Sequence, residues 1–110
     1  MKNWYKELES RFATFPAHIQ ILNMVSDLNK AQNLLPVNKE RAVNHLYRAI
    51  ILLDYMVDDP KWKRKLRELL RLREVIASLI VGEKPFANIN QTINVALQLE
   101  PEAYKAVRLK

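Results

Sequence analysis

The chain has 110 residues, five prolines, one glycine, no cysteine and a net charge of +6. The length suits a single domain over residues 1–110, and the missing thiols exclude disulfides, thiolate metal sites and cysteine nucleophiles. A lone glycine disfavours an all-β chain, whose hairpin turns draw on glycine. The longest apolar run, Ala49-Ile50-Ile51-Leu52-Leu53, falls far short of the roughly 20 residues of a membrane span.

The first fifteen residues mix Trp4 with Glu7, Glu9 and Arg11 and hold no apolar signal-peptide core. With the absence of cysteine, this gives the expectation of a soluble cytoplasmic protein. Trp4, Leu8 and Phe12 fall on one face of a short helix that Phe15-Pro16 breaks. Ile21, Met24, Val25, Leu28 and Leu35 then form an apolar stripe, predicting a helix from about Ala17 to Leu34 with Asn23, Asp27 and Lys30 facing away.

Asn38 suits the N-cap of the next helix, with Glu40 in its first turn. Its main apolar face is Ala42, Leu46, Ala49, Leu53, Met56 and Val57. Ile51 and Tyr55 lie on the opposite side with Asn44 and Arg48, so the helix is apolar around most of its circumference. Such a helix is central in its domain or half of an oligomer contact. Ile51 and Tyr55 are therefore the candidate helix–helix interface with a second copy or a helical partner.

Asp58-Asp59-Pro60 stops that helix and starts another, with Asp59 as N-cap and Pro60 at the first helical position. A continuous helix is predicted from Pro60 to Val81, with Leu66, Leu69, Leu70, Ile76, Ala77 and Ile80 on its core face and Gly82 as C-cap. Beyond Pro85, Ile89, Ile93, Ala96 and Leu97 mark a further helix, capped by Asn88 or Asn90 and ended by Glu100-Pro101. Ala103-Tyr104 and Ala106-Val107 suit a short closing helix. The fold class is thus all-α: a four-helix antiparallel, up-and-down bundle with short extra helices at each end.

Charge is concentrated on the segment Lys61–Glu74, which carries seven of the eighteen basic residues and two of the twelve acidic ones. Nearly all of the net charge sits there, and such a field suits an acidic partner. At 100° per residue Arg64, Arg67 and Arg71 form one outward stripe, opposite the leucines. Arg64 and Arg71 are spaced for ion pairs with Glu68 and Glu74. Trp62 either staples into the bundle or stacks on an unpaired base. Lys61, Lys63 and Lys65 crowd the positive end of the helix dipole, where cations are unfavourable. That placement marks the lysine cluster as the place to seek a partner. Together Lys61, Lys63, Arg64, Lys65, Arg67 and Arg71 form either a solvated surface or the candidate face for an acidic protein or nucleic acid.

Enzyme chemistry finds little support. Asp54 and Asp58 have metal-ligand spacing on one helix, but no second acidic pair is placed to complete an oxygen-rich site. Caps account better for Asp58 and Asp59. His18 and His45 are the only histidines, and neither belongs to a motif with a serine. There is no glycine-rich phosphate loop. No catalytic residue, cofactor or metal ligand is predicted.

The stretch Ala96-Leu97-Gln98-Leu99-Glu100-Pro101-Glu102-Ala103-Tyr104 resembles the end of a tetratricopeptide repeat, which closes its second helix with Ala-Leu-x-Leu-Asp-Pro. Ile76-Ala77 falls where that repeat has a large–small pair, but Arg73 replaces its aromatic and Ile89 its alanine. The match covers about one unit, whereas stacking needs about three or more. It reads as local helix–turn grammar, and no peptide-groove residue carries over. The sequence points first to a small non-enzymatic helical accessory or adaptor protein acting through protein–protein contacts. The alternatives are a nucleic-acid-binding protein using residues 61–74 and, by analogy, an assembly or secretion-type chaperone.

Overall fold

Proline and short polar side chains set most of the helix boundaries. A computed structural model of the chain describes the backbone of residues 2–81 and 89–108, with the side chains of 7–81, 89–103, 105 and 106. Its helices are α1 (Lys2–Ala13), α2 (Ala17–Leu34), α3 (Lys39–Val57), a 3₁₀ helix (Pro60–Lys65), α4 (Leu66–Val81), α5 (Ile89–Gln98) and α6 (Pro101–Arg108). The described residues form no strand. No helix among them is long and apolar enough to cross a membrane.

Three of the starts are capped by side chains. Asn38 Oδ1 accepts from the Arg41 backbone N–H at 3.2 Å at the start of α3. Asp59 Oδ1 accepts from Lys61 N–H at 3.0 Å, ahead of Pro60. Glu100 Oε2 accepts from Glu102 N–H at 2.6 Å and from Ala103 N–H at 3.3 Å, ahead of Pro101. The last two share one device: a carboxylate just before a proline caps backbone donors of the helix's first turn. The expected C-cap Gly82 and the candidate cap Asn88 lie outside the described residues, and Asn90 lies within α5 rather than before it.

The helices pack in a closed cycle. α2 lies against α3 and α5, α4 lies against α3 and α5, α1 crosses α3, and α6 rests on α2 and α5. The radius of gyration is 13.5 Å, close to the roughly 13 Å of a compact chain of 100 residues. Ile21, Met24 and Leu28 of α2 meet Leu46, Leu53 and Met56 of α3 and Leu69 and Ile76 of α4 in one core. Phe12 of α1 belongs to the same core and lies edge-on to Phe15.

The expected continuous helix from Pro60 to Val81 is corrected, and the correction turns one face of the molecule. Residues 60–65 wind as a 3₁₀ helix, at about 120° per residue instead of 100°. Four such steps from Trp62 rotate Leu66 by about 80° relative to an unbroken α-helix. Within α4 the buried residues are Leu69, Leu72 and Ile76, and the 3₁₀ winding brings Trp62 onto their side. Leu66 and Leu70, expected in the core, are 39% and 45% exposed. In α2, Leu35 follows the last helical residue and is exposed, while Asp27, expected to face away, is buried.

Candidate functional site

The basic segment divides into two groups with different surroundings. Lys61, at the surface, and Lys65, half-buried, are tied by hydrogen bonds to other parts of the fold. The Lys61 ammonium donates to the carbonyls of Ala13 and Phe15, each at 3.0 Å, and to Asp59 Oδ2 at 2.9 Å. Ala13 ends α1, so this cation sits at the negative end of another helix. The Lys65 ammonium donates to the carbonyl of Leu99, just beyond the end of α5. The dipole conflict read from the sequence disappears: both lysines satisfy orphan carbonyls at foreign helix C-termini.

Trp62, between these lysines, is 3% exposed. Its indole Nε1–H donates to Gln20 Oε1 at 2.5 Å. The Gln20 amide in turn donates to the Phe12 carbonyl at 2.9 Å and to Asp59 Oδ2 at 3.4 Å. One buried glutamine thus joins α1, α2 and the 3₁₀ helix. Of the two uses weighed for Trp62, the staple is the one present, and the ring is closed to a nucleic-acid base. Among the described residues no buried side-chain polar atom lacks a hydrogen-bond partner.

Asp59 is the electrostatic pivot of this clasp. Burial alone would raise its carboxyl pKa. Hydrogen bonds from the Lys61 backbone, the Lys61 ammonium and the Gln20 amide, together with the Lys61 charge, outweigh burial and hold the pKa below the ordinary 3.8. A carboxyl depressed in the folded state contributes stability above its unfolded pKa and loses it as pH falls through the folded value. Asp59→Asn should therefore lower the denaturation midpoint at pH 7. It should also reduce the further loss that the wild type suffers on acidification below about pH 4. Urea unfolding at a series of pH values measures both effects.

The second group is exposed. Lys63, Arg64, Arg67 and Arg71 have no ion pair or hydrogen bond among the described residues. The expected pairs Arg64–Glu68 and Arg71–Glu74 do not form. The 3₁₀ turn spoils helical register for the first, and pairing at this surface offers only a few tenths of a kcal/mol. Leu66, Arg67, Leu70, Arg71 and Glu74 line one depression on the outside of α4. Arg73, the remaining arginine of the segment, turns toward α3 and donates from Nε to Asp54 Oδ1 at 2.7 Å. This hydrogen bond and the carboxylate's charge raise the Arg73 pKa further.

Two side-chain groups elsewhere bear on function. Tyr55 is half-buried with its ring 6.2 Å from that of Phe12, so it contributes to packing within the chain. Ile51 is half-buried on the same helix. Asp27 of α2 is met from α3 by His45 Nδ1 at 3.1 Å, where the imidazole N–H donates, and by Arg48 Nε at 3.4 Å. This cluster around the buried Asp27 carboxylate escaped the sequence reading, although a signal existed. Asp27 and His45 each stand nine residues from Pro36, and positions equidistant from a tight interhelical turn face each other in an αα-hairpin. Among the described residues no three metal-ligating side chains converge.

No protein-family model matches the chain, and no curated protein or solved structure shows significant similarity to it.

Proposed function

We propose that this chain is a small non-enzymatic helical accessory or adaptor protein that acts through protein–protein contacts on the outer face of α4. The observation carrying this reading is the pair of exposed leucines, Leu66 and Leu70, beside the unpaired arginines Arg67 and Arg71. Exposed leucines one turn apart offer apolar area to a protein surface, with arginine at the rim. Phosphate backbones make no use of such leucines. The nucleic-acid reading also loses its stacking platform, because Trp62 is buried, and loses Lys61 and Lys65 to internal carbonyls. The assembly-chaperone reading rests on fold analogy and has no separate observation in its favour.

Within this reading α2, α3, α4 and α5 run up and down as antiparallel neighbours, as short connections such as residues 35–38 favour. Tyr55 already packs on Phe12, which moves the favoured partner surface from Ile51 and Tyr55 to α4. A cytoplasmic location belongs to the same proposal, since a chain without cysteine needs no oxidising compartment.

A photo-crosslinking amino acid placed at Leu70 in the native host tests the reading. Discrete adducts sensitive to protease and resistant to nuclease are expected, and the same probe at exposed Asn33, near the end of α2, should not give them. Nuclease-sensitive adducts would overturn it. So would duplex-DNA binding whose log affinity falls with log salt at a slope of about −2.7 or steeper, the value for three neutralised phosphates.

A further inference from the structure

The outer face of α4 carries more than a general capacity for contact, because its charges and its apolar residues are arranged in order. Arg64, Arg67 and Arg71 succeed one another at three- and four-residue steps, all exposed. Leu66 and Leu70 stand beside them, and Glu74 closes the depression at its far end. On the adaptor reading above, we infer that this face docks an amphipathic α-helix with two apolar residues at i and i+4 flanked by Asp or Glu.

Charge complementarity selects the occupant. Arg67 and Arg71, both without internal partners, line the depression with the two leucines, and exposed Arg64 continues their stripe, so a fitting ligand presents carboxylates beside an apolar pair. A second copy of the chain does not meet this requirement. A twofold contact centred between the two arginines would set Arg67 of one copy against Arg71 of the other, and like charges in apposition are costly. A uniform polyanion, whether duplex nucleic acid or an anionic bilayer, meets Glu74 at the end of the depression and gains little from two leucines. Glu74 instead favours a ligand whose acidic character stops after about two turns. The ligand's conformation follows from its backbone. An extended peptide gains affinity by adding to a sheet edge, and the face is entirely helical, whereas a helix satisfies its own peptide groups.

The test pans a display library of randomised peptides, about 16 residues long to permit helix formation, on the immobilised full chain. The best binder is then titrated by fluorescence anisotropy. Enriched sequences should carry net negative charge and an i, i+4 apolar pair. Binding should weaken at least about tenfold for Arg67→Glu/Arg71→Glu and for Leu70→Ser, with helix content and urea midpoint unchanged. A peptide with lysines in place of its acidic residues should regain affinity for the charge-reversed variant. The inference is overturned by winners without acidic enrichment or by winners that bind the charge-reversed variant equally. Cosedimentation with phosphatidylserine vesicles that depends on the same arginines would also overturn it. Failure here together with protein adducts at Leu70 in the host would reject the acidic helix and leave the adaptor reading standing. Nuclease-sensitive adducts would reject both.

Discussion

Replacing Trp62 by alanine should destabilise the protein by about 3–5 kcal/mol, the usual cost of truncating a buried large aromatic. The indole is nearly fully buried and lies between the two lysines that hold α1 and α5. Its removal would open a cavity at the junction of α1, α2 and the 3₁₀ helix, and would leave Gln20 Oε1 without its donor. Urea unfolding should show a lower midpoint with an unchanged slope. Trp62→Phe separates the two contributions. It keeps much of the apolar volume, so its cost should fall to about 1–3 kcal/mol, in the range for an orphaned polar group. A loss under about 1 kcal/mol for the alanine variant would remove Trp62 from the account of the fold.

Gln20→Met should cost about 2 kcal/mol, chiefly because the Trp62 N–H would lose its acceptor inside the core. The Phe12 carbonyl is less affected, since it also accepts from the Phe15 backbone at 3.1 Å. The decisive comparison is a double-mutant cycle. In a Trp62→Phe background there is no indole N–H left to strand, so Gln20→Met should cost about 1 kcal/mol less than it does in the wild type. Strictly additive losses would mean that the hydrogen bond contributes nothing to stability.

Helix existence was legible because it rests on local signals. Prolines, Asn38 and the apolar stripes of α2 and α3 dictate structure within a turn or two of themselves, and those boundaries agree with the structure to within a residue or so. What the sequence hid is long-range. The 3₁₀ winding of residues 60–65 accompanies the docking of Trp62 onto Gln20, a contact across 42 positions that no local pattern announces. Leu66 and Leu70 lie on the same regular α-helix as Leu69, Leu72 and Ile76, and apolar residues around much of its circumference left the direction of the core open to local periodicity. The lysines misled for a related reason. Reading the dipole of their own helix gave a repulsive placement, while their ammonium groups reach the C-terminal carbonyls of α1 and α5.

The six basic residues grouped from the sequence divide in the structure into two sets with different surroundings. Arg64, Arg67 and Arg71 lie on the outside as the helical spacing suggested, and Lys63 joins them. Lys61 and Lys65 belong to the architecture. On the adaptor reading proposed above, the ammonium groups of Lys61 and Lys65 are held by internal hydrogen bonds, whereas Lys63, Arg64, Arg67 and Arg71 are free to reorient toward a partner.

The division of the basic segment into an internal clasp and an outer face is most directly tested by comparing two charge-removal variants in urea. Lys61→Met/Lys65→Met should lose about 2–4 kcal/mol, because charge-assisted hydrogen bonds to three carbonyls at the ends of α1 and α5 are removed. Arg64→Gln/Arg67→Gln/Arg71→Gln, which removes more positive charge, should stay within about 0.5 kcal/mol of wild type at each site. Equal losses per charge in the two variants, or a greater loss on removing the arginines, would contradict it.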